Sequence, residues 1–150
     1  MAEVEIDPDT GIVTIDRYTV VDDFGVVVNP LIVEGQVHGG IAQGIGQVLA
    51  EDTIYDEDGQ LVTGTYLDYQ LPRADDIAHI NFTTHAVPCK SNPLGVKGIG
   101  ECGLMPATSA IISAIEDALS PFNAHLTRVP LMPPDILAAI EAGSGNRTAT

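Results

Sequence analysis

The sequence has little positive charge. Only six of its 150 residues are Lys or Arg, whereas 21 are Asp or Glu, and the formal net charge is −15. Binding to a nucleic-acid backbone or to an anionic membrane surface depends on clustered basic residues. The composition therefore predicts that neither a nucleic acid nor a membrane is a partner of this chain.

Cysteine and long apolar runs are also scarce. Cys89 and Cys102 are the two cysteines, and their spacing matches neither a disulfide scaffold, nor a zinc site, nor an iron–sulfur motif. No apolar run approaches the roughly 18 residues of a membrane-spanning helix. Met1–Asp7 is acidic and lacks the basic and then apolar pattern of a signal peptide. We therefore expect a soluble, cytoplasmic protein that supplies no metal ligands of its own.

Tryptophan is absent, and four Tyr and three Phe are the only aromatic residues. Apolar residues nevertheless make up 45% of the chain, so that an aliphatic core is expected. The length fits one ordinary domain, which we place at residues 1–142, followed by a small polar segment, 143–150, that we expect to be disordered.

Strand and helix patterns mix without regular β–α–β alternation, which predicts an α+β fold. We expect mixed or antiparallel strands packed against a glycine-rich helix and two further helices. The predicted strands are Val4–Ile6, Ile12–Val21, Thr53–Tyr55, Leu61–Tyr69, Ile80–Ala86 and Leu126–Leu131. The predicted helices are Pro30–Glu51, Pro106–Leu119 and a last one from Pro133 to about Gly143.

The glycine-rich helix has an unusual neutral face. Gly35–Ala50 contains five glycines and no charged residue. On a helical wheel, one stripe consists of Gln36, Gly40, Gln43 and Gln47. Each glycine costs about 1 kcal/mol relative to alanine inside a helix, so something must approach this backbone closely. Two alternatives remain open, namely a second helix crossing at the glycines, or a flat polar ligand that the glutamine amides recognise.

A glycine-rich loop, Ser91–Gly103, presents one carboxylate. Glu101 is the only acidic residue between Asp76 and Glu116. In an apolar loop a carboxylate loses solvation, which suits it to act as a general base near neutral pH. Alternatively, Glu101 only complements the dipole of the following helix. Lys97, four residues earlier in the loop, could bind a phosphate or orient the loop. Alternatively, Lys97 is only the surface ion-pair partner of Glu101.

Three stretches together resemble the xanthine oxidase family of molybdenum hydroxylases. They are VVNPLIVEGQVHGGIAQGIGQVL, GTYLDYQLPRADD and NPLGVKGIGECG, in the expected order. The similarity runs from about Val4 to Ile140. More specifically, the chain resembles the carboxyl-terminal part of the large subunit of aldehyde-oxidase-type or carbon-monoxide-dehydrogenase-type enzymes.

The resemblance implies a molybdopterin cofactor, in its cytosine dinucleotide form, and the oxidative hydroxylation of an aldehyde, a heterocycle or a CO-like substrate with water-derived oxygen. By the motifs, Glu101 matches the catalytic glutamate of the family, and Gln36 matches the glutamine that reaches the molybdenum centre. Further cofactor-binding positions that the resemblance implies are Gly39, Gly40, Gln43, Lys97 and Gly98.

The resemblance also implies partners. Family large subunits have several hundred residues before this point, and their electrons leave through iron–sulfur clusters and FAD on other domains or subunits. We therefore expect turnover only when the chain is assembled with the remaining part of the large subunit and with those subunits. Two alternatives remain, namely a non-catalytic module that binds a partner chain through its Gln/Gly helix, and self-association that covers apolar surface.

Overall fold

The computed structural model describes residues 1–145. In chain order the elements are β1 (Ala2–Ile6), β2 (Val13–Asp22), α1 (Pro30–Leu49), β3 (His79–Thr84), α2 (Leu104–Leu119), a short 3-10 turn (Ser120–Phe122) and α3 (Pro133–Gly145). Three strands and three helices confirm the predicted α+β class.

The strands form one mixed sheet in the order β1-β2-β3. β1 is antiparallel to β2 across the tight turn that Gly11 closes with a φ of 73°, and β2 is parallel to β3. Along β2, Ile15, Tyr18 and Val20 are buried. Strict alternation would put Ile15 and Tyr18 on opposite faces. The pairing register with β1 shifts between Glu3 and Val4, opposite Asp16, so that both side chains face the core.

α1 begins where the sequence predicts. The Asn29 side chain accepts a hydrogen bond from the backbone N–H of Ile32, and Pro30 occupies the first turn. Both features are typical of a helix start. The helix ends at Leu49, two residues before the predicted end, and α2 begins at Leu104, two residues before the predicted start.

The core lies mainly between α1 and α2. Val37, Ile41, Ile111 and Ile115 are fully buried there. The backbones come so close that a Cβ on Gly44 would lie 2.6 Å from the Cβ of Ala107. The crossing of two helices was one of the two explanations that the glycine content left open, and it accounts for Gly44.

Two predicted hairpin strands, Thr53–Tyr55 and Leu61–Tyr69, are wrong. That segment contains a single bridge, between Tyr55 and Leu61, around the turn closed by Gly59. Its apolar side chains, including Tyr66 and Leu67, are exposed. A two-stranded hairpin that packs on no further strand or helix is marginal in water, so the alternating pattern alone does not make strands.

The predicted strand Leu126–Leu131 is also wrong, since this segment is irregular. Leu131 is buried, and its N–H donates to the carbonyl oxygen of Val48 at the end of α1, 2.6 Å away. The apolar residue therefore packs beneath a helix and pairs with no strand.

The last helix extends further than predicted. α3 runs to Gly145, beyond the expected stop near Gly143, and Gly143 is buried against the backbone of Phe122 and Asn123. The predicted disordered tail, 143–150, therefore begins too early, and residues 146–150 lie outside the described part of the chain. Among the helices of residues 1–145, none is both long and apolar enough to span a bilayer.

Candidate functional site

The outer face of α1 is an open polar surface. Gly35, Gln36, Gly39 and Gln43 are exposed, as is Gln47 one turn further along. A Cβ added to Gly35 or Gly39 would meet no atom of residues 1–145 within 4 Å. Packing among the described residues therefore does not explain these two glycines, unlike Gly44.

Gly40 belongs to the helix crossing. A Cβ at this position would lie 2.8 Å from the backbone nitrogen of Leu104 and 2.9 Å from the Cα of Gly103. Its lack of a side chain therefore allows α1 to contact the start of α2. The wheel placed Gly40 on the same stripe as Gln36 and Gln43, but its missing side chain would point toward α2.

The glycine-rich loop joins this surface through one side chain. The Nε2 of Gln36 donates to the carbonyl oxygen of Gly100 over 2.7 Å. Gly98 and Gly100 are exposed, and a Cβ on either would meet nothing within 4 Å. The contact brings the two segments that the sequence singled out onto one surface, although 64 positions separate Gln36 from Gly100.

Glu101 lies directly after Gly100, and its side chain is exposed. Its carbonyl oxygen accepts from the N–H groups of Leu104 and Met105, in the first turn of α2. The predicted desolvation of this carboxylate is therefore wrong for the chain by itself, because the glycines around it leave it open to water.

Lys97 is paired with Asp23, not with Glu101. Its ammonium group contacts Asp23 Oδ2, and both side chains are about one-third exposed. Hydrogen bonds from Lys97 and from the backbone N–H groups of Val87 and Gly25 lower the pKa of Asp23 to about 2. The suggested ion pair with Glu101 is wrong, and a phosphate would have to compete with Asp23 for the Lys97 ammonium.

Sequence reasoning missed Asp23. By itself, the pattern Asp22-Asp23-Phe24-Gly25 predicts only a break after β2. An Asp two residues before a glycine is typical of a turn in which the side chain accepts a backbone N–H, and Asp23 Oδ1 does accept from Gly25. The pairing with the distant Lys97 has no counterpart in the local sequence.

Cys102 has the properties of a structural cysteine. Burial and the nearby charge of Asp22 raise the pKa of its thiol, and its Sγ contacts the carbonyl oxygen of Ile99 over 2.9 Å. A nucleophilic cysteine needs a lowered pKa. Within residues 1–145, no group of three His, Cys, Asp or Glu side chains is placed to hold a metal ion.

A groove lies elsewhere on the described chain. It has a volume of about 510 Å³, and its lining includes Ile12, Leu49, Pro72 and Leu131 but neither Gln36 nor Glu101. Gln36 and Glu101 lie outside this groove, on an exposed surface.

Comparison with known proteins identifies the family. The family model of the molybdopterin cofactor-binding domain matches residues 1–78. The chain is 44% identical over 141 residues to the nicotine 6-hydroxylase large subunit of Paenarthrobacter nicotinovorans, which covers 91% of this chain and 17% of that protein. It is 32% identical over 127 residues to the carbon monoxide dehydrogenase large chain of Afipia carboxidovorans, covering 85% of this chain and 16% of that one.

A solved structure agrees in fold. Quinoline 2-oxidoreductase from Pseudomonas putida matches with a TM-score of 0.89 and 41% identity, over 92% of this chain and 18% of that chain. The chain thus spans about one-sixth of the length of the relatives that it matches. It belongs to the molybdopterin-binding large subunits of the xanthine oxidase family.

Proposed function

We propose that this chain forms one wall of the molybdopterin pocket of a molybdenum hydroxylase and that Glu101 is the catalytic base. The observation that carries the proposal is the hydrogen bond from Gln36 to Gly100. It joins the neutral face of α1 to the loop that presents Glu101. The family membership supports it, because the relatives include hydroxylases and oxidoreductases of small organic molecules and of carbon monoxide.

The surface fits a molybdopterin. The backbone is open at Gly35, Gly39, Gly98 and Gly100, where a Cβ would meet nothing within 4 Å in the part of the chain that the structure describes. The Gln36 amide carries a second N–H and a carbonyl oxygen besides the N–H that it donates to Gly100, and an amide suits the mixed donors and acceptors of a pterin edge. The neutrality of Gly35–Ala50 avoids the cost of burying an unpaired charge beneath the cofactor.

The residues that would hold the cofactor are Gln36, Gly39 and Gln43 on α1, and Gly98 in the loop. Gly40 and Lys97 are weaker candidates, because the former packs on α2 and the latter pairs with Asp23. We propose the cytosine dinucleotide form of the cofactor.

The chain's own part in the reaction is a proton transfer. When bound, the molybdenum cofactor supplies the redox chemistry of the hydroxylation. The carboxylate of Glu101 would accept the proton that the water-derived hydroxyl group loses, and Gln36 holds the neighbouring carbonyl oxygen of Gly100 in place. The rest of the large subunit would exclude water from Glu101, since this chain leaves its side chain exposed.

The proposed substrate class is an aldehyde, a heterocycle or a CO-like molecule, with electrons leaving through iron–sulfur and FAD groups on partner subunits. Such partners agree with the relatives, which are named as the large subunit or chain of an enzyme, or as a subunit of a dehydrogenase complex.

The second candidate function is a non-catalytic assembly module. Exposed apolar side chains favour it, among them Leu31 and Ile32 at the start of α1 and Tyr66 and Leu67 in the irregular segment. Stoichiometric binding of a partner chain without any molybdenum would support this alternative.

The test is Glu101→Gln in the complete assembly. We expect turnover to fall by on the order of 10²–10⁴, as for a lost general base, with the molybdenum content unchanged. Glu116→Gln is the matched control, because Glu116 is an exposed glutamate of α2. Nearly unchanged turnover of Glu101→Gln, at full molybdenum content, would reject the catalytic role.

A further inference from the structure

One carboxylate links three segments of the chain next to the proposed site. Asp23 Oδ1 accepts from the backbone N–H groups of Gly25 and Val87, each over 2.9 Å, and Oδ2 contacts the ammonium of Lys97. Asp23 follows β2, Val87 follows β3, and Lys97 lies in the glycine-rich loop. The side chain therefore ties the ends of two parallel strands to that loop.

Backbone contacts strengthen the same junction. The N–H of Val26 donates to the carbonyl oxygen of Gly95 over 2.9 Å, and the N–H of Lys97 donates to the carbonyl oxygen of Phe24 over 3.0 Å. The contact is so close that a Cβ on Gly25 would overlap the carbonyl oxygen of Gly95. The loop is thus paired with the segment after β2 up to Lys97.

The segment between Lys97 and Glu101 is held at both ends. Asp23 holds Lys97, Gln36 holds the carbonyl oxygen of Gly100, and the residues between them include the open glycine Gly98. Between these ends, Ile99 packs against the core and its carbonyl oxygen contacts Cys102 Sγ. Because glycine restricts the backbone least, Gly98 and Gly100 on either side of Ile99 still depend on the contacts of Lys97 and Gln36 for their positions.

We propose that Asp23 is a positioning residue for Glu101 and that it acts through Lys97. This inference rests on the proposed function, because it assigns Asp23 a part in the same reaction. It also implies that Lys97 binds Asp23 and not the cofactor. A carboxylate that receives two N–H groups and an ammonium group stays ionised over the physiological pH range, so the anchor persists there.

The first experiment measures the loop directly, by amide hydrogen exchange of the chain. In Asp23→Asn and in Lys97→Met, we expect exchange within residues 92–103 to accelerate about tenfold, while exchange in β1 and α2 stays unchanged. The amide oxygen of Asn still accepts the two backbone N–H groups, so the variant removes mainly the charge. Lys97→Arg, which keeps the cation, should restore protection.

The matched control is Glu3→Gln, which breaks the surface pair between Glu3 and Arg17. It should leave exchange in the loop unchanged. Unchanged loop exchange in Asp23→Asn, or equal acceleration throughout the chain, would overturn the positioning role. Neither result depends on a bound cofactor, so both differ from a failure of the proposed function.

The second experiment uses the complete assembly. Asp23→Asn should lower kcat about tenfold while KM changes less than twofold, because a misplaced base slows the reaction more than it weakens binding. The molybdenum content should stay unchanged in both Asp23→Asn and Lys97→Met. Loss of molybdenum in Lys97→Met alone would instead identify Lys97 as a cofactor ligand and would overturn the inference.

Discussion

At the scale of single residues, Gly39 and Gly40 are adjacent in α1 but lie in opposite surroundings. A Cβ on Gly40 would lie within 3.0 Å of the backbone of Gly103 and Leu104, whereas a Cβ on Gly39 would meet nothing within 4 Å. Stability explains the first glycine, because alanine there would push two helices apart. Stability opposes the second glycine, because alanine is the better helix former.

Alanine substitution separates these two roles. Gly40→Ala should lower the free energy of unfolding by about 2–4 kcal/mol, because a close backbone contact must open. Gly39→Ala should raise it by about 0.5–1 kcal/mol, because the helix gains a better former without a clash. Urea unfolding of the two variants and the wild type would measure both effects.

The assembled enzyme provides the other half of this comparison. If Gly39 lies against the cofactor, Gly39→Ala should reduce the molybdenum content of the assembly, although the variant chain itself is more stable. Gly35→Ala tests the glycine one turn earlier in the same way. Full molybdenum content and activity in Gly39→Ala would contradict the assignment of Gly39 to the pocket.

At the scale of elements, the carboxyl end of β2 carries two adjacent aspartates with opposite pKa shifts. Burial raises the pKa of Asp22 above 3.8, and its Oδ2 is buried without a hydrogen-bond partner among the described residues. Hydrogen bonds from Lys97, Val87 and Gly25 lower the pKa of Asp23 to about 2. Ionisation therefore weakens the fold at Asp22 and strengthens it at Asp23.

These shifts predict opposite effects of pH. The stability that Asp23 contributes is complete above its unfolded pKa of 3.8 and is lost as the pH falls through about 2. The penalty at Asp22 is complete above its raised pKa and disappears below 3.8. At pH 7, Asp23→Asn should therefore destabilise the chain, and Asp22→Asn should raise its melting temperature by about 1–3 °C.

Thermal unfolding of both variants and the wild type, at neutral pH and at about pH 3, would measure these changes in melting temperature. The gain from Asp22→Asn should vanish at the lower pH, and the loss from Asp23→Asn should shrink as the pH approaches 2. A gain from Asp22→Asn that persists in acid would show that burial of its charge is not the cause.

At the scale of the whole molecule, the chain exposes apolar side chains that a larger assembly would cover. Tyr66 is 87% exposed and Leu67 is 93% exposed, in a segment without regular secondary structure. The chain spans only about one-sixth of the length of its relatives. In the proposed assembly these side chains would pack against other parts of the large subunit.

In isolation these residues should promote self-association, although the net charge of −15 opposes it. Multi-angle light scattering should give a mass above 15.8 kDa for the wild type, and a mass closer to that value for Tyr66→Ser combined with Leu67→Ser. Val129→Ser, at a half-exposed position elsewhere, is the control. A wild type that is already monomeric would contradict this expectation.

Sequence alone was sufficient for the elements whose signals are local. Asn29 and Pro30 mark the start of α1, and the three motifs identify the family. The alternating pattern marks β2 as a strand, but its buried face changes phase at the register shift opposite Asp16, which the pattern does not show. Sequence alone was insufficient to show that Thr53–Tyr55, Leu61–Tyr69 and Leu126–Leu131 do not form strands. A strand also needs a neighbouring strand, and neighbours are not encoded locally.

The candidate site divides in the same way. Residue types and spacing were enough to single out Glu101 and the stripe that contains Gln36, because an isolated acid and an uncharged helix face are visible in the sequence. The family resemblance then selected Gln36 from that stripe. Only the tertiary structure joined Gln36 to Gly100, assigned Gly40 to the helix crossing and paired Lys97 with Asp23. These contacts join residues far apart in the chain, and their geometry follows from how the helices and the sheet pack, which no local pattern specifies.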